Sequence, residues 1–186
     1  MKLKKFNFKT INSTNDLAIK IIKNTKNKSG IIIAENQKKG RGKYGKKWTS
    51  YKGNLFVSIF FPISKIKLSL SKLTKINCLL VKKLISKYYK GKILIKSPND
   101  LLIKKKKISG ILQETLYYSD ETFIIIGIGI NLIKSPKILN YPTTNLLYLT
   151  NIKISNNNAV SELKKIYEKF IPILLRFNIK NMSKFK

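Results

Sequence analysis

Between Ile93 and Ile130 the chain carries four apolar segments, Ile93–Ile95, Leu101–Ile103, Ile108–Tyr118 and Phe123–Ile130, with no stretch between them long enough for a crossover helix. Segments joined this closely read as a hairpin-rich middle, with Leu101–Ile103 and Ile108–Tyr118 the clearest hairpin. The connections carry turn chemistry. Ser97-Pro98-Asn99-Asp100 reads as a turn, since proline restricts Ser97 and the Asn-Asp pair favours reversal. The Lys104–Lys107 run then forms the tip of a hairpin between the second and third segments.

Helical and strand patterns flank this hairpin-rich middle. Residues 6–11 form a short strand, followed by Ser13 as N-cap, with Asp16 three residues on and Leu17, Ala18, Ile21 and Ile22 at helical spacing. Gly30 opens the β-branched strand Ile31-Ile32-Ile33-Ala34, and Asn54–Phe61 is a strand ended by Pro62. Leu68–Tyr89, with Leu73, Ile76, Leu80, Leu84 and Ile85, predicts an amphipathic helix able to cover one sheet face, and Ala159–Phe177 predicts a last helix. The expected fold is α+β, one mixed β-sheet backed by helices in a single domain over residues 1–186. The order lacks the βαβ alternation of a Rossmann domain.

Composition decides whether such a chain folds and what it attracts. Lys plus Arg number 39 against 8 Asp plus Glu, a net charge of +31, yet 43% of the residues are hydrophobic, enough to bury a core. Only Arg41 and Arg176 are arginines. The charge is therefore almost all lysine, read as compositional drift at exposed positions rather than as a selected polyanion patch. A lone Cys78 excludes an internal disulfide, and the absence of histidine excludes a zinc cluster or a His-based triad; no metal ligands are assigned. Met1-Lys2-Leu3-Lys4-Lys5 has no apolar segment behind it, and the longest apolar run, Phe123–Ile133, falls short of the ~20 residues of a spanning helix. A soluble, cytoplasmic protein without membrane association is expected.

The chemistry concentrates in four places. Glu35–Gly53 is expected to be a long loop, and within it Gly40-Arg41-Gly42-Lys43-Tyr44-Gly45-Lys46-Lys47-Trp48 sets cations between glycines. Glycines let backbone N–H groups approach an anion, and an arginine can grip a carboxylate or phosphate by two parallel hydrogen bonds. A solvated basic loop has the same composition, and the Walker A spacing is absent. Asn99-Asp100 puts an amide and a carboxylate on a turn, suited to a nucleotide, Mg²⁺ or an attacking amine, although the tripeptide Pro98-Asn99-Asp100 alone is first of all a turn. Lys107 precedes Ile108-Ser109-Gly110, where a strand glycine signals close approach; the other three lysines of the run read as solvated tip residues. Gly127-Ile128-Gly129-Ile130-Asn131 could lay two glycines against a flat ring and offer it an amide, with ordinary sheet packing the plainer alternative.

In order along the chain, these segments resemble the catalytic domain of biotin protein ligase, the biotin–[acetyl-CoA-carboxylase] ligase family. The matching pieces are Ser13-Thr14-Asn15, Ala34-Glu35-Asn36-Gln37 leading into Gly40–Trp48, Ser50 and Gly53-Asn54-Leu55, Lys96-Ser97-Pro98-Asn99-Asp100-Leu101, Lys107–Glu114 and Gly127–Asn131. The likeness spans nearly residues 6–180. It implies the biotin/lipoyl ligase fold, related to class II aminoacyl-tRNA synthetases, and a two-step reaction. Biotin's carboxylate attacks the α-phosphate of MgATP to give biotinyl-5′-AMP and pyrophosphate; a specific lysine of a biotin carboxyl carrier domain of acetyl-CoA carboxylase then attacks the mixed anhydride.

By position in the family's motifs, Ser13, Thr14, Asn15, Gln37, Arg41, Gly42, Lys43 and Lys107 would bind biotin, and Gly40, Trp48, Asn99 and Asn131 the nucleotide. Arg41, Lys43, Lys107 and Asp100 are the catalytic candidates, with Asp100 orienting the acceptor amine or a Mg²⁺-linked group. Three departures stand out. Lys43 replaces the family's second arginine, Ser97 replaces its usual tryptophan, and the chain is expected to lack both the small C-terminal β domain and the N-terminal DNA-binding domain of some relatives, so specific DNA binding is not implied. A lipoyl or octanoyl ligase, and a Lys-rich nucleic-acid-binding module with vestigial ligase motifs, are the alternatives. A homodimer stays open.

Overall fold

A computed structural model describes residues 1–63, 66 and 68–176. Its elements, in chain order, are β1 (Lys4–Ile11), α1 (Thr14–Asn24), β2 (Gly30–Gln37), β3 (Leu55–Pro62), α2 (Leu70–Ile85), β4 (Ile93–Lys96), β5 (Asp100–Ile103), β6 (Lys106–Tyr118), β7 (Glu121–Ile130), α3 (Leu146–Thr150) and α4 (Asn156–Arg176). Seven strands form one sheet in the order β1-β2-β3-β7-β6-β5-β4. Only β1 and β2 run parallel, the helix α1 carrying the chain between them; every other pair is antiparallel. The mixed α+β sheet expected from the sequence is thus present.

Three local differences have physical causes. β2 extends to Gln37 because Thr10 and Ile11 of β1 pair with Asn36 and Gln37, so the loop starts three residues later than its composition indicates. The hairpin tip is only Lys104-Lys105, both in the left-handed region (φ 49° and 62°), which places Lys106 and Lys107 in β6 rather than at the tip. The long helix is Leu70–Ile85, started by Ser69, whose hydroxyl accepts from the Lys72 amide at 3.3 Å. Of the last predicted helix, Phe177 lies outside the described residues, and the observed helix begins earlier, at Asn156.

The two sheet faces are furnished differently. On one, Leu55, Val57, Ile59 and Phe61 of β3 and Ile124, Ile126, Ile128 and Ile130 of β7 pack with Leu84, Ile85, Leu163 and Tyr167 of α2 and α4 into the main core. On the other, Ala18, Ile21 and Ile22 of α1 cover Ile32, Phe60, Phe123 and Ile125. Because both faces are buried, β3 and β7 read as continuous apolar runs. Along β7, however, the residues on the α1 face are Phe123, Ile125, Gly127 and Gly129. Past Ile125 that face has no side chains, and the gap is where the loop and the start of α1 settle.

Candidate active site

Across the β6–β7 ladder Gly110 and Gly129 are direct partners, and the Trp48 indole lies against both. A Cβ on Gly129 would fall 2.3 Å from the indole Cζ2, and one on Gly110 2.8 Å from Cζ3. Gly127 plays the same part for Asn15, whose Oδ1 would be 2.5 Å from an added Cβ. The ring that the sheet glycines accommodate is therefore one of this chain's own.

The loop that carries Trp48 is braced by its own backbone. Gly42 N–H donates to the Lys46 carbonyl at 2.6 Å and Trp48 N–H to the Gly40 carbonyl at 2.9 Å. Between them Tyr44 sits in the left-handed region (φ 56°, ψ 43°) and is 82% exposed. Gly40 is buried beneath this brace, where a Cβ would meet the Trp48 carbonyl at 2.6 Å, so it supports the loop and does not line the cavity.

A cavity of about 710 Å³ opens over this face. Of the residues singled out from the sequence, Ser13, Thr14, Asn15, Gln37, Arg41, Gly42, Lys43, Trp48, Asn99, Asp100, Lys107 and Asn131 all line it. Among the described residues six cations, Arg41, Lys43, Lys46, Lys47, Lys96 and Lys107, face one lining carboxylate, Asp100. The cavity is electropositive locally, independent of the lysines scattered elsewhere.

One end is built on the start of α1. Ser13 caps the helix, accepting from the Asp16 amide at 3.3 Å. Thr14 donates to Gln37 Oε1 through its amide at 2.8 Å and its hydroxyl at 3.0 Å, tying helix to β2. Asn15 is buried; its Oδ1 accepts from Ser58, and its Nδ2 donates to Glu114 Oε2 at 2.6 Å. Arg41 donates to the same Glu114 twice, at 2.9 and 2.8 Å, and lies 2.7 Å from Asp16 Oδ1. Those bonds with Glu114 are the main reason that the guanidinium titrates above its ordinary range. The fork expected for a ligand is thus closed on a protein carboxylate, and Arg41 brings no unpaired charge to the cavity.

The other end holds Lys107. Its Nζ is 2.8 Å from Asp100 Oδ1, with both side chains mostly buried, and it lies 5.3 Å from the Trp48 ring centroid and 5.4 Å from that of Tyr141. Tyr141 donates to Asp100 Oδ2 at 2.6 Å. Asn99 is spent on the turn: its Nδ2 donates to the Ile111 carbonyl at 2.7 Å. Asn131 Nδ2 donates to the Thr144 carbonyl at 3.1 Å. Lys43 Nζ sits 4.9 Å over the Tyr44 ring and has no carboxylate partner among the described residues.

Sequence reasoning missed Glu114 as the partner of Arg41, Ser58 beneath Asn15, and Tyr141. Glu114 lay inside a quoted motif, but its role needs the approach of residues 73 positions away. Tyr141 carried no signal.

Residues 7–131 match the Biotin/lipoate A/B protein ligase family. The chain is 34% identical over 124 residues to the bifunctional ligase/repressor BirA of Escherichia coli, covering 66% of this chain and 38% of that protein. It is 29% identical over 171 residues to BirA of Bacillus subtilis, 86% of this chain and 51% of that one. The chain thus spans about half or less of these relatives. The biotin protein ligase of Aquifex aeolicus, solved in complex with biotin and ATP, superposes with a TM-score of 0.77 at 24% identity, over 98% of this chain and 77% of that one.

Proposed function

The chain belongs to the biotin/lipoate A/B protein ligase family, and from that membership we propose that it activates biotin with ATP as biotinyl-5′-AMP and passes the biotinyl group to a lysine of a biotin carboxyl carrier domain. The observation that carries this reading is that residues from five separated motifs converge on one cavity. The acceptor follows from the relatives, among them a Mycobacterium tuberculosis protein named biotin--[acetyl-CoA-carboxylase] ligase, 25% identical over 143 residues.

The first step brings a carboxylate to a phosphate, two anions that repel in water. Lys107, held between Asp100 and two aromatic faces, uses one of its three donors on Asp100 and keeps the others for the biotin carboxylate and the α-phosphate. Lys43, without a carboxylate partner, meets charge developing at the leaving pyrophosphate. The wall of Thr14, Gln37 and Asn15 presents polar groups to a ureido ring, with Ser13 and Gly42 at its edge. Trp48 and Asn131 border the nucleotide, and Gly40 and Asn99 act through the loop and turn that they brace. Asp100 reaches the acceptor amine only through lone pairs left by Lys107 and Tyr141.

Among the described residues no three His, Cys, Asp or Glu side chains gather to hold a metal ion. The donor set therefore suits a Mg²⁺ that arrives on the ATP phosphates, since Mg²⁺ keeps phosphate oxygens and water as ligands. When bound it neutralises phosphate charge; the protein contributes Asp100 as the one cavity-lining carboxylate. No helix among the described residues is long and apolar enough to cross a membrane.

Incubation of the purified protein with biotin, [α-³²P]ATP and Mg²⁺ tests the proposal. Labelled biotinyl-AMP is expected, and its loss when a carrier domain is added. No labelled adenylate with biotin sinks the biotin reading, and adenylate formed from lipoate instead favours the lipoyl alternative.

A further inference from the structure

We infer that Tyr141 is a positioning residue for Lys107, acting through Asp100, an inference that rests on the adenylating role given above to Lys107. Tyr141 lies in the segment that follows β7, outside every motif that marked the site. That segment is registered against Lys107 by its backbone: the Lys107 amide donates to the Pro142 carbonyl at 2.8 Å, and the Thr144 amide donates to the Lys107 carbonyl at 2.9 Å. The two side chains are thus set opposite each other before any ligand enters.

Asp100 joins them, its Oδ2 accepting from the Tyr141 hydroxyl at 2.6 Å and its Oδ1 lying 2.8 Å from Lys107 Nζ. The phenol stays a donor across neutral pH, because burial first, and then the hydrogen bond and charge of Asp100, push its titration well above the ordinary range. The arrangement solves a specific problem. A carboxylate with one unused oxygen can rotate, and a second ammonium, Lys96, lies 4.4 Å from the Tyr141 ring centroid. By occupying Oδ2 the hydroxyl holds the Asp100 carboxylate in one rotation, and the ring face then limits where the Lys107 ammonium can go. A lysine on a flexible four-carbon stem thereby holds one position without being wholly buried.

Tyr141→Phe keeps the ring and removes only the donor. We expect kcat for biotinyl-adenylate formation to fall about tenfold, the worth of one hydrogen bond to a charged group, with KM for biotin and ATP changed by less than about twofold. In an Asp100→Asn background the same substitution should cause no further fall. A second readout needs no turnover: acetylation of Lys107 by a dilute anhydride, followed by mass spectrometry on the ligand-free protein, should be severalfold faster in Tyr141→Phe. Equal Lys107 labelling in the two proteins, or an undiminished effect in the Asp100→Asn background, overturns the inference. Faster labelling with no adenylate from the unsubstituted protein supports the positioning and removes the biotin reading alone.

Discussion

Arg41 and Glu114 meet through two parallel hydrogen bonds, Nη1 to Oε1 at 2.9 Å and Nη2 to Oε2 at 2.8 Å, while Asn15 donates to the same carboxylate at 2.6 Å. One side chain of β6 therefore fastens the glycine-rich loop to the first turn of α1. Replacing Glu114 by Gln turns one acceptor into a donor that faces other donors. The expected loss is about 1–2 kcal/mol, moderated by the partial exposure of Arg41. Urea denaturation measures it. Arg41→Ala should then cost less in the Glu114→Gln background than alone, and strictly additive losses would count against the coupling.

Gly129→Ala tests the sheet floor. A methyl group 2.3 Å from the indole cannot be accommodated, so Trp48 must lift. Overpacking of this kind costs about 1–3 kcal/mol. Trp48 is the sole tryptophan, so its fluorescence should shift to the red as the ring meets water. Unchanged emission would show that the indole does not rest on the strand.

Asn54, buried just before β3, accepts from the Ile133 and Lys134 amides at 2.9 and 3.2 Å and donates to the Lys134 carbonyl at 2.7 Å. It anchors the segment that leads to Tyr141. Asn54→Ala leaves those backbone groups without partners and should cost about 2–4 kcal/mol. Hydrogen exchange at the Ile133 and Lys134 amides should accelerate more than at β7.

Acid stability should depend on Glu162. Hydrogen bonds from Lys87 and Lys165 hold its carboxyl at about 2, well below the ordinary 4.5. A depressed carboxyl contributes stability above the unfolded value and loses it as pH falls through the folded one. Glu162→Gln should therefore be less stable than the parent at neutral pH, with the gap closing between about 4.5 and about 2. Urea midpoints across that window decide it, and high salt should shrink the difference.

The sequence made legible whatever was local. The β-branched run of β7 and the Ser13 cap announced themselves through periodicity and side-chain chemistry, and the cavity-lining residues through short motifs. What depended on distant chain was not visible. Gln37 belongs to a strand only because Ile11 pairs with it, and Lys107 only because a two-residue turn without glycine precedes it. Glu114 and Tyr141 take their roles from partners 73 and 41 positions away. The five residues of α3 are too few to show a helical period.

The sheet glycines also change how glycine should be read in so lysine-rich a chain. Seven residues other than glycine adopt left-handed backbone among the described residues, Lys104, Lys105, Ser119 and Asp120 among them, whereas only Gly45 and Gly53 of the nine glycines do. Those turns carry side chains at left-handed positions, at a cost of about 1 kcal/mol each. Gly110, Gly127 and Gly129 stand instead where the obstacle is another atom. Within the sheet glycine is a record of occupied space, and the hairpin turns are where a designer could introduce it at a gain.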